Sequence, residues 1–419
     1  HTMSYIPRIA DLELRRKLDA SGAVLIRGPK ACGKTETASQ VSQSVLHADR
    51  DESVHLTLDV APQKLLEGAT PRLIDEWQVI PKIWDHVRHE VDARKKVGQF
   101  ILTGSSSPEE RAKLHSGSGR FTVVDMRTMS WQELGLSRAT VSLGQLLKGE
   151  AVEWDSSQTD IELITTQIVK GGFPALMDRT ATQAMDVNRA YIELLAEVDL
   201  STVSKVRRDP VKVRSTLNSL ARNTATLADS GTLGKDIKAY EAVELSRPTL
   251  YDYLDALERL MVVEDQPAWR AHLRSSVALR SSPKRHFTDV SLAAAALGAS
   301  PDALMDDLNY TGFLFESMVV HDIRVYAQAN DAKVYHYRDA TGREIDIIVQ
   351  KDDGTWCAFE VKLGTNEFDE AAKNLIHLQE SIDPSRGALP ASLNIITGTG
   401  ITHTRKDGVN VIALAALSV

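Results

Sequence analysis

Two cysteines, Cys32 and Cys357, stand far apart in a chain of 419 residues. That spacing excludes a disulfide framework and a zinc pattern. Long apolar runs are also missing. The stretch at the end of the chain, residues 409–419, is too short to span a bilayer. Positive charge is not in excess. The formal net charge of −8 argues against coating nucleic acid by bulk electrostatics, although a local basic groove stays compatible with it. Internal repeats and low-complexity tracts are absent. His1-Thr2-Met3 reads as a tag remnant ending at a native Met3, and no signal-peptide pattern follows, so a cytoplasmic location with no membrane partner is expected.

What is present is an ordinary globular composition, 42% hydrophobic and 25% charged. A single core seldom grows past ~250–300 residues, so two or three domains are expected. Residues 12–20 read as a short charged helix and Ala23-Val24-Leu25-Ile26 as a buried strand. A Gly-rich turn and a helix from Lys34 follow. Residues 53–60 alternate apolar and polar and read as a second strand. Leu73-Ile74, Phe100-Ile101-Leu102-Thr103 and residues 121–124 read as further strands, with a helix over 84–95 between them. Strands alternating with helices imply a parallel sheet in an α/β domain, set here at residues 4–140.

Past residue 140 the periodicity turns helical. Over 212–269 the order is helix, helix, turn, helix and a short strand pair, the pattern of a winged helix-turn-helix. Ser246 is the expected N-cap of the third helix, and Leu250, Leu254, Leu257 and Met261 give it one apolar face. Its exposed side carries Asp252, Asp255 and Glu258 against Arg247 and Arg259, which disfavours phosphate contact. A helical lid plus winged helix is placed at 141–270. The Arg- and Ser-rich stretch 271–283 reads as a linker. Residues 284–419 read as a C-terminal α/β domain: a long helix over 312–328, strands near 333–337, 344–350 and 356–362, a helix near 367–381, and strands near 392–397 and 409–414.

Gly28-Pro29-Lys30-Ala31-Cys32-Gly33-Lys34-Thr35 matches GxxxxGK[ST] between a strand and a helix, the context a P-loop requires. The glycines let backbone N–H groups face the phosphates of ATP, and the helix N-terminus adds positive potential. Lys34 places a charge at the β- and γ-phosphates. The Thr35 hydroxyl ligates Mg²⁺, and Glu36 follows at the edge of the same site. Asp75 would hold the Mg²⁺ shell, and Glu76 would orient and activate the attacking water. Thr103 and Ser105 both end the next strand and can touch the γ-phosphate; the sequence does not choose between them.

These residues, with Tyr5-Ile6-Pro7-Arg8, residues 115–120 (His-Ser-Gly-Ser-Gly-Arg), Gly171-Gly172-Phe173-Pro174, Glu344-Ile345-Asp346 and Glu360-Val361-Lys362, occur in an order that resembles the AAA+ superfamily. More closely, the chain is similar to ATPases with an AAA_14 domain followed by a DUF4143 region. The resemblance implies an arginine near the nucleotide, Arg120 or Arg127. It also implies an oligomer if Arg120 acts across an interface.

The C-terminal carboxylates form a second candidate site. Residues two apart in a strand share a face, so Glu360 and Lys362 point the same way, and a hairpin at Asp353-Gly354 brings Asp346 close. Two carboxylates and a lysine on one sheet face can bind Mg²⁺ and hold an activated water. The pattern is similar to the PD-(D/E)xK nuclease fold, which also uses an acid on the preceding helix. Glu316 fits, as a carboxylate among core-facing residues that needs a partner or a metal. The expectation is an ATP- and Mg²⁺-dependent ATPase coupled to a nuclease-like domain that binds or cuts nucleic acid. The alternative is a nucleotide switch that binds a protein partner, with the nuclease-like domain silent.

Overall fold

Five parallel strands form the first sheet in a computed structural model that describes residues 4–105, 117–203, 206–270 and 282–419. The order in this first layer is α1 (Ala10–Leu18), β1 (Ala23–Arg27), α2 (Lys34–Ser39), β2 (Ser44–His47), α3 (Val54–Val60), α4 (Gln63–Leu66), β3 (Arg72–Asp75), α5 (Ile83–Arg94), β4 (Phe100–Gly104) and β5 (Phe121–Asp125). In space the strands run β2-β3-β4-β1-β5, every pairing parallel. Helices cover both faces, so the inner strands β1 and β4 are almost continuously apolar.

The strand expected over residues 53–60 is a helix, α3. A strand would have faced Val54, Leu56, Leu58 and Val60 the same way. The structure instead buries Val54 and Leu58, four residues apart, and leaves Leu56 66% and Val60 75% exposed. The missing strand is β2, in a stretch too short and polar to announce itself. Of the motif residues, His115 and Ser116 lie outside the described residues, as does most of the expected linker, 271–281.

The middle of the chain is helical: β6 (Val141–Ser142), α6 (Leu143–Leu147), α7 (Ile161–Lys170), α8 (Ala181–Leu194), a π turn at Leu195–Asp199, α9 (Leu200–Val203), α10 (Pro210–Arg222), α11 (Ser230–Glu241), α12 (Arg247–Arg259), α13 (Val290–Leu297) and α14 (Pro301–Asp306). Ser246 caps α12 by accepting from the Thr249 N–H. After α12 the chain pairs antiparallel at Val263 with Phe287 and at Gln266 with Lys284. The returning segment is therefore 284–287. Trp269, expected near the return, instead donates its backbone N–H to the His336 carbonyl. Helix α13 is apolar on all sides, and α7, α8 and α10 surround it. Residues 290–306 thus pack with the helical body, beyond the boundary expected at 284.

The C-terminal part comprises α15 (Leu308–Ala329), β7 (Ala332–Arg338), β8 (Glu344–Lys351), β9 (Trp356–Lys362), α16 (Phe368–Ser381), β10 (Leu393–Thr397), β11 (His403–Thr404), β12 (Asn410–Ala413) and β13 (Leu417–Ser418). Its sheet runs β11-β12-β10-β9-β8-β7. Strands β7, β8 and β9 are antiparallel, whereas β9, β10 and β12 are parallel. Strand β13 returns to pair with β6, and a continuous apolar core joins α15 to the helical body. No helix of the described residues is long and apolar enough to cross a membrane.

Candidate functional site

The P-loop sits where β1 ends and α2 begins, at the C-terminal edge of the first sheet. Gly33 adopts φ 107°, and a Cβ there would lie 2.7 Å from Arg8 Nη1, so only glycine fits. Lys34 is buried, and its ammonium donates to the carbonyls of Gly28 and Pro29 at 2.8 Å each. Pro29 and Cys32 are buried within the loop, whereas Lys30, Ala31 and Glu36 are exposed around it.

Parallel pairing of β3 with β4 sets Asp75 opposite Thr103. Asp75 Oδ1 accepts from Thr35 Oγ1 at 2.8 Å and from Thr103 Oγ1 at 2.6 Å, and Oδ2 lies 3.1 Å from His47 Nδ1. Burial works to raise the Asp75 pKa, but the hydrogen bonds from Thr103, Thr35 and His47 outweigh it and hold the carboxyl below its ordinary value. Asp75 is therefore an anion beside the P-loop hydroxyl. A hydroxyl and a carboxylate, both hard oxygen donors, suit Mg²⁺. Glu76 follows at φ 57°, a left-handed conformation unusual for a non-glycine residue, and its carboxylate accepts from the Gln78 amide. Between the two hydroxyls left open by the sequence, Thr103 reaches the acid. Ser105 is buried one residue past β4.

The two arginines lie elsewhere. Arg120 precedes β5, and its carbonyl accepts from the Ala23 N–H at the start of β1. That is the opposite edge of the sheet, roughly 16 Å from the P-loop at ~3.3 Å per residue. Its side chain pairs with Asp92. Within one chain Arg120 does not approach the nucleotide site, because parallel strands put their starts and ends on opposite edges. Arg127 is at the correct edge but binds Glu264 and Gln328.

Two residues at this site had no motif to reveal them, and Arg8 was seen only as part of a matching stretch, with no role. His47 ends β2 and Asp49 lies two residues past it, and their ligand atoms lie with one of Asp75 within 4.8 Å of one another. Arg8 donates to the Cys32 carbonyl at 2.6 Å and to Glu133 at 2.8 Å. The helical body rests on the loop: the Tyr191 hydroxyl donates to the Lys30 carbonyl, and Lys30 pairs with Asp199 at 2.9 Å.

The C-terminal carboxylates gather differently from the sequence expectation. Glu360 and Lys362 share the sheet face under α16, but Glu360 Oε1 accepts from Asn374 at 2.7 Å and Lys362 pairs with Glu367 at 3.2 Å. Asp346 Oδ2 accepts the Val361 N–H at 2.9 Å. Between Glu316 and Asp346 sits the ammonium of Lys284, 2.9 Å and 3.3 Å from their oxygens. Glu316, Asp346 and Glu360 do not offer three ligand atoms within 4.8 Å of one another. The structure thus places an ammonium where the sequence reading places a metal.

Burial and then the charge of Asp346 push Glu316 up to about 8, and the same two causes raise Glu360 well above the carboxylate range. Burial opposes the charge on Lys284, but Glu316 and Asp346 more than offset it. An ionised Asp346 and a charged Lys284, flanked by two protonated glutamates, give a balanced cluster. A glutamate in an unfolded chain ionises near pH ~4.3. From there to about 8 the unfolded chain holds fewer protons, so this group makes the fold less stable as pH rises. The expected result is that Glu316→Gln, followed by urea denaturation, gains on the parent by a few kcal/mol between pH ~5 and ~8. A loss over that interval would mean that Glu316 is ionised in the fold.

Known proteins match the chain in parts. The family described as an AAA domain, AAA_14, matches residues 20–135. Two families of unknown function follow, DUF8612 over 161–303 and DUF4143 over 311–417. The uncharacterized proteins Rv2008c of Mycobacterium tuberculosis and Mb2031c of Mycobacterium bovis are each 25% identical over 360 residues, 85% of this chain and 73% of theirs. Among solved structures, the Walker-type ATPase PABY2304 of Pyrococcus abyssi aligns with a TM-score of 0.43 at 12% identity, covering 71% of this chain and 97% of that one. With the P-loop between β1 and α2, the AAA-domain match makes the first domain AAA-like and ATPase in type, followed by a DUF4143 segment.

Proposed function

We propose that this chain is a Mg²⁺-dependent ATPase of AAA+ type whose nucleotide state is passed to the helical body and the C-terminal domain. The observation that carries the reading is the Thr35–Asp75–Thr103 cluster beside the P-loop, with Asp75 accepting from both hydroxyls. Lys34 faces the β- and γ-phosphates. Thr35 and Asp75 are the residues that would hold Mg²⁺, which when bound neutralises charge on the phosphates. Glu76 orients the attacking water and draws off its proton. Thr103, joined to Asp75 and 3.4 Å from the Glu76 N–H, reports the γ-phosphate to both acids. Tyr191 and Asp199 touch Lys30 and give the helical body a direct reading of the loop.

Glu76→Gln is expected to keep ATP binding and lose turnover by ~100-fold or more, measured by ATP-analogue titration beside phosphate release. Retained turnover would remove Glu76 from this role.

What the ATPase drives has two readings. In one, the C-terminal domain is nuclease-like and binds or cuts nucleic acid, with α10–α12 as a winged helix. In the other, it is a silent module and ATP switches the grip on a protein partner. The groove of about 910 Å³ beside Glu360 and Lys362 favours the second, because four glutamates besides the protonated Glu360 line it against two lysines and an arginine. On α12, Arg259 is paired with Asp255, so its charge is already balanced within the helix. ATPase rates with and without single-stranded DNA, duplex DNA and RNA separate the readings. Stimulation by one of them supports the first, and a flat response supports the second.

A further inference from the structure

The nuclease-like reading implies a divalent metal held by Glu316, Asp346 and Glu360, and the side chains present do not fit one. Lys284 is 4% exposed, and its ammonium lies in hydrogen-bonding distance of both Glu316 and Asp346. It is not a loose surface lysine that happens to lean in. Its backbone exchanges two hydrogen bonds with Gln266, at 3.0 Å and 2.9 Å. The Gln266 side chain donates to the carbonyls of Tyr335 and Asp346, at 3.0 Å and 2.9 Å. Two residues on, His286 spans from Ser317 to the Gln266 side chain, 2.9 Å to each. The segment carrying Lys284 is thus stitched to α15, β7 and β8, and the ammonium position is set by main chain.

A divalent metal needs several oxygens drawn together around it, whereas an ammonium needs only acceptors at hydrogen-bond length. The two Lys284 contacts are of the second kind. The third carboxylate, Glu360, accepts from Asn374 and shares a hydrogen bond with Asp346, as a protonated carboxyl does, and Lys362 pairs with Glu367.

We infer that Lys284 is the built-in cation of this site: Glu316 and Asp346 close around a protein ammonium, the site takes no divalent metal, and the C-terminal domain does not hydrolyse phosphodiesters by metal-assisted chemistry. What it excludes rests on the nuclease-like reading of the domain; the role of Lys284 rests on its own contacts. The same two ammonium contacts, to Glu316 and to Asp346, fasten the segment after α12 to α15 and β8. The lysine is therefore also the clasp between the helical body and the C-terminal sheet.

The test is Mn²⁺ binding by the full chain, without nucleotide, followed by electron paramagnetic resonance of free Mn²⁺. In the parent, Asp346→Asn should change nothing. Lys284→Ala should gain about one Mn²⁺ site, at least ~10-fold tighter than any Asp346-dependent binding in the parent, and adding Asp346→Asn should remove it. Mn²⁺ binding in the parent that disappears on Asp346→Asn would overturn the inference. So would a folded Lys284→Ala chain with no new site. Should Lys284→Ala fail to fold, Lys284→Met keeps the length without the charge. A melting transition raised by Mn²⁺ in that variant supports the inference, and an unmoved one overturns it. ATP turnover of the same preparations reads the ATPase proposal separately, since Lys284 is no part of that site.

Discussion

Lys34→Ala is expected to lower ATP turnover by roughly 100-fold or more, with only a modest loss of thermal stability. The reasoning is electrostatic. The ammonium is buried in the loop and already held by the Gly28 and Pro29 carbonyls, so it needs little reorganisation to face phosphate. Loss of one preorganised charge or donor at a developing anion typically costs ~10²–10³ in rate. The stability cost is modest, about 1–3 kcal/mol, because the Gly28 and Pro29 carbonyls are buried and lose their donor. Phosphate release at saturating ATP, with a melting curve on the same sample, checks both parts. Turnover equal to the parent's would sink the ATPase reading itself. A collapse of the melting transition would assign the loss to unfolding.

Glu133→Ala should give the largest loss of stability, about 3–5 kcal/mol, the usual cost of breaking a buried ion pair from one side. The side chains of Arg8 and Glu133 are only 5% and 3% exposed, and they meet at 2.8 Å. Glu133 also accepts from the N–H groups of Ile9 and Ser130, at 2.9 Å each, and from the Ser130 hydroxyl. Removing it leaves a buried guanidinium and two backbone donors without their acceptor. The consequence reaches the nucleotide site, because Arg8 also holds the Cys32 carbonyl of the P-loop. Weaker ATP binding should therefore accompany the lower midpoint of the first urea transition. In Arg8→Ala/Glu133→Ala the loss should be well below the sum of the single losses, since no charge is stranded. A single-variant loss below ~1 kcal/mol would show that the pair is not needed to hold the loop.

Local features of the chain were the legible ones. The P-loop declares itself in eight consecutive residues, and Asp75-Glu76 follow a short apolar run at a strand end. The long helix and the hairpin of the C-terminal part were readable because their periods, 3.6 and 2, persist over many residues. Residues 53–60 misled because the same apolar spacing serves a strand face at period 2 and a helix stripe at i, i+4. Arg8 stood in a matching stretch but with no role, and His47 and Lys284 carried no signal, since each matters through partners 125, 28 and 32 or 62 positions away.

The sequence by itself determined the make-up of the first site: a P-loop motif, an Asp-Glu pair at a later strand end, and strands that alternate with helices around them. Those are consequences of short spacings, and short spacings survive without a fold. Tertiary structure alone decided the rest. Strand register chose Thr103 as the hydroxyl on Asp75, and strand direction sent Arg120 to the far edge. Antiparallel pairing of residue 284 with residue 266 carried a lysine into the carboxylate cluster. Register, direction and long-range pairing are properties of how distant segments meet, and burial makes each decisive, because a charge taken from water must find its partner within a few ångströms.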